Sequence, residues 1–264
     1  MPDFNPDSLA EWTKGAWRNE PKKNISGFSI DSRKISEGEM FVAIEAERDG
    51  HDYLRGAAEE GASAALVSRL NLEVPIPQLL VKDTLRSFHD IARGHRKSFK
   101  GPVVGITGSC GKTSTKDTLA LLMGEDLTLS TEGNLNNHLG VPLTLLKLNG
   151  ASHRFAIVEA GINQVGEMSM LAQTISPDLV IITLVGYSHL EGLGSVENVA
   201  REKAFLFEDP SSSPLVIFPQ DCLSFESFSK KRKSQENHIV LIEGKPTGEP
   251  QKNEAFYSIW TETN

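Results

Sequence analysis

The stretch Val103-Val104-Gly105-Ile106-Thr107-Gly108-Ser109-Cys110-Gly111-Lys112-Thr113-Ser114-Thr115 decides the fold. An apolar strand runs into Gly-x-x-Gly-Lys-Thr and leaves as a helix over Lys112 to Met123. Gly108 and Gly111 can take backbone conformations that side chains forbid, so successive N–H groups can turn inward around an anion. The positive end of the following helix adds to that attraction. Gly108, Ser109, Cys110, Gly111, Lys112, Thr113 and Ser114 are therefore the candidate phosphate-binding residues. Lys112 supplies a point charge for β- and γ-phosphates, and Thr113 a hydroxyl for Mg²⁺. The spacing departs from Gly-x4-Gly-Lys, because Ile106 stands five residues before Gly111. A plain glycine turn is the alternative; the Lys-Thr pair and the strand–loop–helix order speak against it.

Working outward, further β-rich runs are Phe28 to Ile30, Met40 to Ile44, Ala64 to Val67, Gln78 to Val81, Phe155 to Glu159, Leu179 to Thr183 and Leu215 to Phe218. Helical spacing marks Thr84 to Lys97, where Leu85, Phe88, Ile91 and Ala92 share a face, and Ser195 to Phe207, opened by Ser195. Strands alternating with helices predict parallel βαβ units, so the fold class is α/β. A boundary is expected at Ser98-Phe99-Lys100-Gly101-Pro102, with a small N-terminal domain over 1–100 and a mostly parallel-sheet nucleotide domain over 101–264. From Asp209 the character changes. Asp209-Pro210-Ser211-Ser212-Ser213-Pro214 reads as a loop, Lys230-Lys231-Arg232-Lys233 as a solvated charged loop, and Gly244 to Asn253 as a polar stretch with two prolines.

Composition excludes several classes. Of 264 residues, 27 are Lys or Arg and 35 Asp or Glu, a net charge of −8. Duplex nucleic-acid binders carry the opposite surplus, so no nucleic-acid partner is expected. No apolar run approaches the roughly 18–20 residues of a membrane helix, and Met1-Pro2-Asp3-Phe4-Asn5 lacks signal-peptide character. Cys110 and Cys222 are too few for a disulfide scaffold or a cysteine metal cluster, which points to a reducing cytoplasm. Nothing in the sequence sets an oligomeric state.

Four other places bear chemistry. Glu159 ends the apolar run Phe155-Ala156-Ile157-Val158-Glu159, where a carboxylate can bind Mg²⁺ opposite the phosphate loop or simply cap a helix. His189 and Glu191 lie just past Leu179-Val180-Ile181-Ile182-Thr183, in a ligand's position or on an ordinary surface. Asn134, Asn136 and Asn137 sit in Glu132-Gly133-Asn134-Leu135-Asn136-Asn137-His138-Leu139-Gly140-Val141-Pro142; on pattern alone they make turns, with polar-ligand contact as the alternative. Asp31-Ser32-Arg33 follows a strand and reads as a turn with a surface arginine or as a phosphate or pyrimidine contact.

Taken in order, these motifs resemble the Mur ligases, the ATP-dependent amide ligases of peptidoglycan precursor synthesis. Asp31-Ser32-Arg33-Lys34, Gly38 to Ile44, Asp49-Gly50-His51 and Gly61-Ala62 are similar to the family's UDP-binding N-terminal domain. Thr107 to Thr115 resembles its ATP loop. Glu159 with Gly161 and Gly166-Glu167, then Gly186 and His189-Leu190-Glu191, resemble its metal-binding strand ends, and Arg201-Glu202-Lys203 its carbamylated-lysine helix. Thr131-Glu132-Gly133-Asn134-Leu135-Asn136-Asn137 with Gly140-Val141-Pro142 resembles the branch that joins D-alanyl-D-alanine to UDP-N-acetylmuramoyl-tripeptide. That segment argues against the sister ligases and folylpolyglutamate synthase.

The resemblance implies roles. Ser32 and Arg33 contact the uridine diphosphate, and Asn134, Asn136 and Asn137 the muramoyl peptide. Lys112 and the loop amides hold ATP; Thr113 and Glu159 bind one Mg²⁺, and His189 and carbamylated Lys203 a second. Lys112, His189 and Lys203 are the implied catalytic residues. Departures from the family are Cys110, Leu184, Tyr187-Ser188 and the run Val216 to Asp221 around Phe218. Nothing matches the family's His–Asn segment near the adenine or its third, Rossmann-like domain. The expectation is a UDP domain plus an incomplete ATP domain with apolar surface uncovered. A binding module without turnover is the competing expectation.

Overall fold

The computed structural model describes residues 2–208, 213–234, 239–243 and 258–260; for 231–234, 243 and 258–260 only the backbone is described. Of the expected loop 209–214, residues 209–212 lie outside the described residues, as does the polar stretch 244–253. Two compact units form: one of the residues up to Lys100 with Pro142–Ser152, the other of Gly101–Val141 and the residues from His153 on. The boundary expected at 98–102 assigns Pro142–Ser152 to the second domain. It packs with the first, where the His95 ring nitrogen Nε2 lies 2.8 Å from the Leu148 carbonyl oxygen.

The first unit runs α1 (Pro6–Thr13), β1 (Ala16–Arg18), β2 (Gly27–Ser29), β3 (Glu39–Val42), α2 (Leu54–Glu59), β4 (Ala64–Val67), β5 (Gln78–Leu80) and α3 (Thr84–Ser98). The sheet order is β1-β5-β4-β3-β2. All its pairs are parallel except β1 with β5. Local rules set the helix ends. Asn5 Oδ1 accepts from Asp7 N at 2.8 Å and Pro6 follows it, while Asp83 Oδ1 accepts from Arg86 N at 2.9 Å to open α3. Phe88, Ile91 and Ala92 are buried on the predicted face of α3.

The second unit runs β6 (Val103–Thr107), α4 (Lys112–Met123), β7 (Thr128–Ser130), α5 (Gly140–Leu145, shared with the first unit), β8 (Phe155–Glu159), α6 (Glu167–Ile175), β9 (Leu179–Ile182), α7 (Leu190–Leu193), α8 (Val196–Ala204), β10 (Leu215–Pro219), α9 (Glu226–Ser234), β11 (Ile239–Glu243) and β12 (Ser258–Trp260). The sheet order is β12-β11-β10-β9-β6-β8-β7. Only β12 runs antiparallel to its neighbour. The chain fills one side of β6 with β7 and β8, then crosses to β9 and continues outward. The strand order reverses at β6, so the carboxyl ends of β8, β6 and β9 stand side by side at a switch point, where ligands bind in open α/β sheets.

Two readings change, and one departure from the family pattern is placed. The predicted helix Ser195 to Phe207 is α8 followed by a 3-10 turn over Phe205–Phe207, with Ser195 Oγ accepting from Asn198 N at 3.2 Å as its cap. Lys230 to Lys233 is not a loop: its backbone belongs to α9, and Lys230 pairs with Glu226 one turn back at 2.7 Å. Phe218 is fully buried in β10, with its ring centroid 5.1 Å from that of Phe228 in an edge-on contact. It is a core residue. No helix among the described residues is long and apolar enough to cross a membrane.

Candidate nucleotide and metal site

The site grows from three adjacent strand ends. β6 delivers Thr107 into the loop Gly108 to Gly111. Gly111 has φ +81° and caps α4 in the left-handed region, where a side chain is disfavoured. At Gly108 the requirement is space: a Cβ would sit 1.9 Å from Thr183 Oγ1. The loop thus lies against the end of β9, and the bonds between them are many. Thr183 N donates to Thr107 O at 2.9 Å, and Thr183 Oγ1 to Cys110 O at 2.5 Å. Ser109 N donates to Leu184 O at 2.7 Å. The Ser109 hydroxyl donates to Gly186 O and accepts from Gly186 N, both at 3.0 Å, and accepts from Ser188 Oγ at 2.9 Å. Leu184 contributes through its carbonyl, so the family departure at its side chain leaves this contact intact.

On the other side of β6, β8 delivers Glu159, which is buried. Its register partner is Ile106. Thr113 Oγ1 donates to Glu159 Oε2 at 2.9 Å, and Asn136 Nδ2 donates to Glu159 Oε1 at 2.9 Å. Glu159 N donates to Thr131 Oγ1 at 2.9 Å. Lys112, half-buried, donates from Nζ to Gly108 O at 2.9 Å, so its ammonium folds over the loop.

His189 and Lys203 complete the cluster. His189 has φ +52° at the start of α7 and is exposed. Partial burial, then the charges of Lys203 and Lys112, hold its imidazole below the ordinary value, and Glu167 opposes them. Lys203 is 1% exposed, and its carbonyl accepts from the Phe205 N–H at the end of α8. Burial first, and Lys112 second, push its amine down to about 7. Burial thus favours the neutral amine more than it would for a surface lysine.

The asparagine segment divides its work. Asn136 reaches Glu159, with its Nδ2 donating to Oε1. Asn137 makes a turn: its Oδ1 accepts from Leu139 N at 3.1 Å and Gly140 N at 2.9 Å. Asn134 is exposed, and its carbonyl accepts from Asn136 N at 2.8 Å. Ser32 and Arg33 belong to the first unit. Arg33 pairs with Asp31 through Nε–Oδ1 and Nη2–Oδ2, both 2.9 Å, and holds that carboxyl down to about 2. Arg33 is exposed and paired within the turn, which is the turn with a surface arginine.

Sequence reasoning missed Thr131, Thr183 and Lys116. Thr183 carried a signal, since it ends an apolar run as Glu159 does. Thr131 stood only as the first residue of the family-like segment, and Lys116 carried no signal, because the Thr131 carbonyl it reaches lies fifteen residues away. Among the described residues no group of three or more His, Cys, Asp or Glu is placed to hold a metal ion. The oxygen donors of Thr113 and Glu159 nevertheless suit Mg²⁺, which takes one or two carboxylates plus substrate phosphates rather than an all-protein cage.

Comparison with known proteins points the same way. The profile of the Mur ligase middle domain matches residues 106–256, and that of the Mur ligase family catalytic domain matches 24–93. The chain is 37% identical over 214 residues to the UDP-N-acetylmuramoyl-tripeptide–D-alanyl-D-alanine ligase of Escherichia coli K12, covering 79% of this chain and 47% of the relative. With the Bacillus subtilis protein of the same name the identity is 34%, over 81% of this chain and 48% of the relative. The chain thus spans about half the length of the curated relatives it matches. Among solved structures, MurF from Acinetobacter baumannii superimposes with a TM-score of 0.81 at 29% identity, over 92% of this chain and 53% of that one. MurF ligase from Thermotoga maritima, solved in complex with ADP, gives 0.69 at 28% identity, over 82% and 49%.

Proposed function

The chain belongs to the Mur ligase family, and from that premise we propose that it serves the ATP-dependent joining of D-alanyl-D-alanine to UDP-N-acetylmuramoyl-tripeptide in the cytoplasm. The observation that carries this reading is the convergence of Lys112, Thr113 and Glu159 at neighbouring strand ends. The asparagine segment, with Asn136 on Glu159, supports the choice of branch.

In this reading the peptide carboxylate attacks the γ-phosphorus of ATP, ADP leaves and an acyl phosphate forms. The amine of the dipeptide then attacks the acyl carbon, inorganic phosphate leaves with the C–O bond electrons, and the amine sheds its proton. The reactants are mutually repelling anions. Lys112, swung from the Gly108 carbonyl to the phosphates, and the amides around Gly108 to Gly111 neutralise that charge where it develops. Thr113 and Glu159 would hold one Mg²⁺, and His189 with a carbamate on Lys203 a second; these ions would supply charge neutralisation on the phosphates. The lowered pKa of Lys203 favours carbamate formation by its neutral amine: nitrogen attacks CO₂, an N–C bond forms, and nitrogen loses a proton. Ser32 and Arg33 are assigned to the uridine diphosphate, and Asn134, Asn136 and Asn137 to the muramoyl peptide.

The test is ADP and phosphate release measured with each reactant omitted in turn, beside calorimetry with each ligand. Release that needs UDP-muramoyl-tripeptide and rises with D-alanyl-D-alanine is expected. Turnover with a different acid and amine, but none with these, would overturn the assignment. Binding of both ligands without turnover would identify a non-catalytic module.

A further inference from the structure

Lys116 lies on α4 one turn after Lys112, and its side chain is 7% exposed. Nothing in the ligase reading uses it. A buried ammonium must be partnered, and this one donates from Nζ to the Thr131 carbonyl at 2.8 Å and pairs with Asp117 at 2.6 Å. Thr131 is itself fully buried and is fixed on three sides: its N–H donates to Ile157 O at 3.1 Å, its carbonyl takes Lys116, and its hydroxyl takes Glu159 N. It is also the first residue of the asparagine segment.

These bonds close a ring. Thr113 at the start of α4 holds the Glu159 carboxylate; Lys116, one turn on, holds Thr131; and Thr131 holds the Glu159 backbone. The ring fixes both ends of Glu159 to one rigid helix. It also anchors the segment whose Asn136 amide reaches the other carboxylate oxygen. We propose that Lys116 is a positioning residue: through Thr131 it sets the Glu159 carboxylate against Thr113 and ties the asparagine segment to the nucleotide-bearing helix. The proposal rests on Glu159 being a cation ligand for a bound nucleotide. Outer-shell partners of metal ligands commonly matter by about 10- to 100-fold in metal affinity.

Two readouts separate positioning from plain structural support. In the ligand-free chain, hydrogen exchange at the Glu159 amide is expected to quicken in Lys116→Met and to stay slow in Lys116→Arg. In titrations of ADP with and without Mg²⁺, Lys116→Met is expected to lose about tenfold or more of the gain that Mg²⁺ confers, with metal-free ADP affinity retained. Thr131→Val, which deletes the hydroxyl but keeps the carbonyl, should reproduce both effects and serves if Lys116→Met does not fold. Equal losses with and without Mg²⁺, or an unmoved Glu159 amide, would overturn the proposal. Absence of nucleotide binding by the unmodified chain would count against the ligase reading, leaving the amide exchange to judge the ring.

Discussion

Glu159 shows how much of a site one residue can concentrate. Its two carboxylate oxygens take Thr113 and Asn136, and its N–H goes to Thr131. Outer-shell partners of a metal ligand are commonly worth about 10- to 100-fold, so Glu159→Gln, which keeps the size and removes the ligand's own charge, should cost Mg²⁺-assisted nucleotide binding at least about as much; titration with and without metal checks this. The strand-end position of Glu159 was legible because an apolar run that stops on an acid is unusual. The asparagines were legible only as polar, since one amide serves the site and another a turn. Lys203 was legible through family likeness alone, because burial by distant segments is what lowers its pKa. If its amine is neutral near pH 7, ¹³C-bicarbonate should give a carbamate resonance in the unmodified chain that is missing in Lys203→Met.

His95 belongs to the same scale. Burial holds its imidazole below the ordinary value of 6.5, while the Leu148 carbonyl opposes the shift. The unfolded chain therefore takes up the proton first. The stability that His95 permits is present above about 6.5 and declines as pH falls from there through its folded value. Melting curves near neutral and mildly acid pH should show a larger acid loss in the unmodified chain than in His95→Asn.

At the scale of elements, the strand–loop–helix unit controls the site. β6, α4 and β8 have the bounds that the sequence suggested, because glycines and polar residues end their apolar runs sharply. Three residues are too few to show a period, so β1 and β7 escaped, while the equally short β2 and β5 were legible only through the β-rich runs around Phe28 to Ile30 and Gln78 to Val81. α9 escaped because its exposed basic run looks the same in a loop as on a helix face. The phosphate loop is stitched to the end of β9 by Ser109 and Thr183, so a side chain at Gly108 must displace that whole seam. Gly108→Ala should therefore destabilise the second unit by about 2 kcal/mol or more and abolish nucleotide binding, as read by chemical denaturation and calorimetry.

At the scale of the molecule, alternation of strands and helices was enough for the α/β class. It was not enough for the strand order, which depends on the crossing from β8 past β6 to β9. That crossing creates the switch point and gathers residues from positions 107, 159 and 183 at one edge. The membership of Pro142–Ser152 in the first unit was equally hidden, because it is decided by packing with distant segments such as the end of α3. A ligand held at the switch point stabilises what it binds. Mg-ATP at about 100 times its dissociation constant should add about 2.7 kcal/mol to the stability of the second unit.

The most direct test of the nucleotide site is a calorimetric titration of Mg-ATP into the chain and into Lys112→Ala. The fold and the loop geometry predict saturable one-to-one binding, weakened about tenfold or more when the Lys112 ammonium is removed. Equal affinity in the two proteins, or no binding by the unmodified chain, would contradict it.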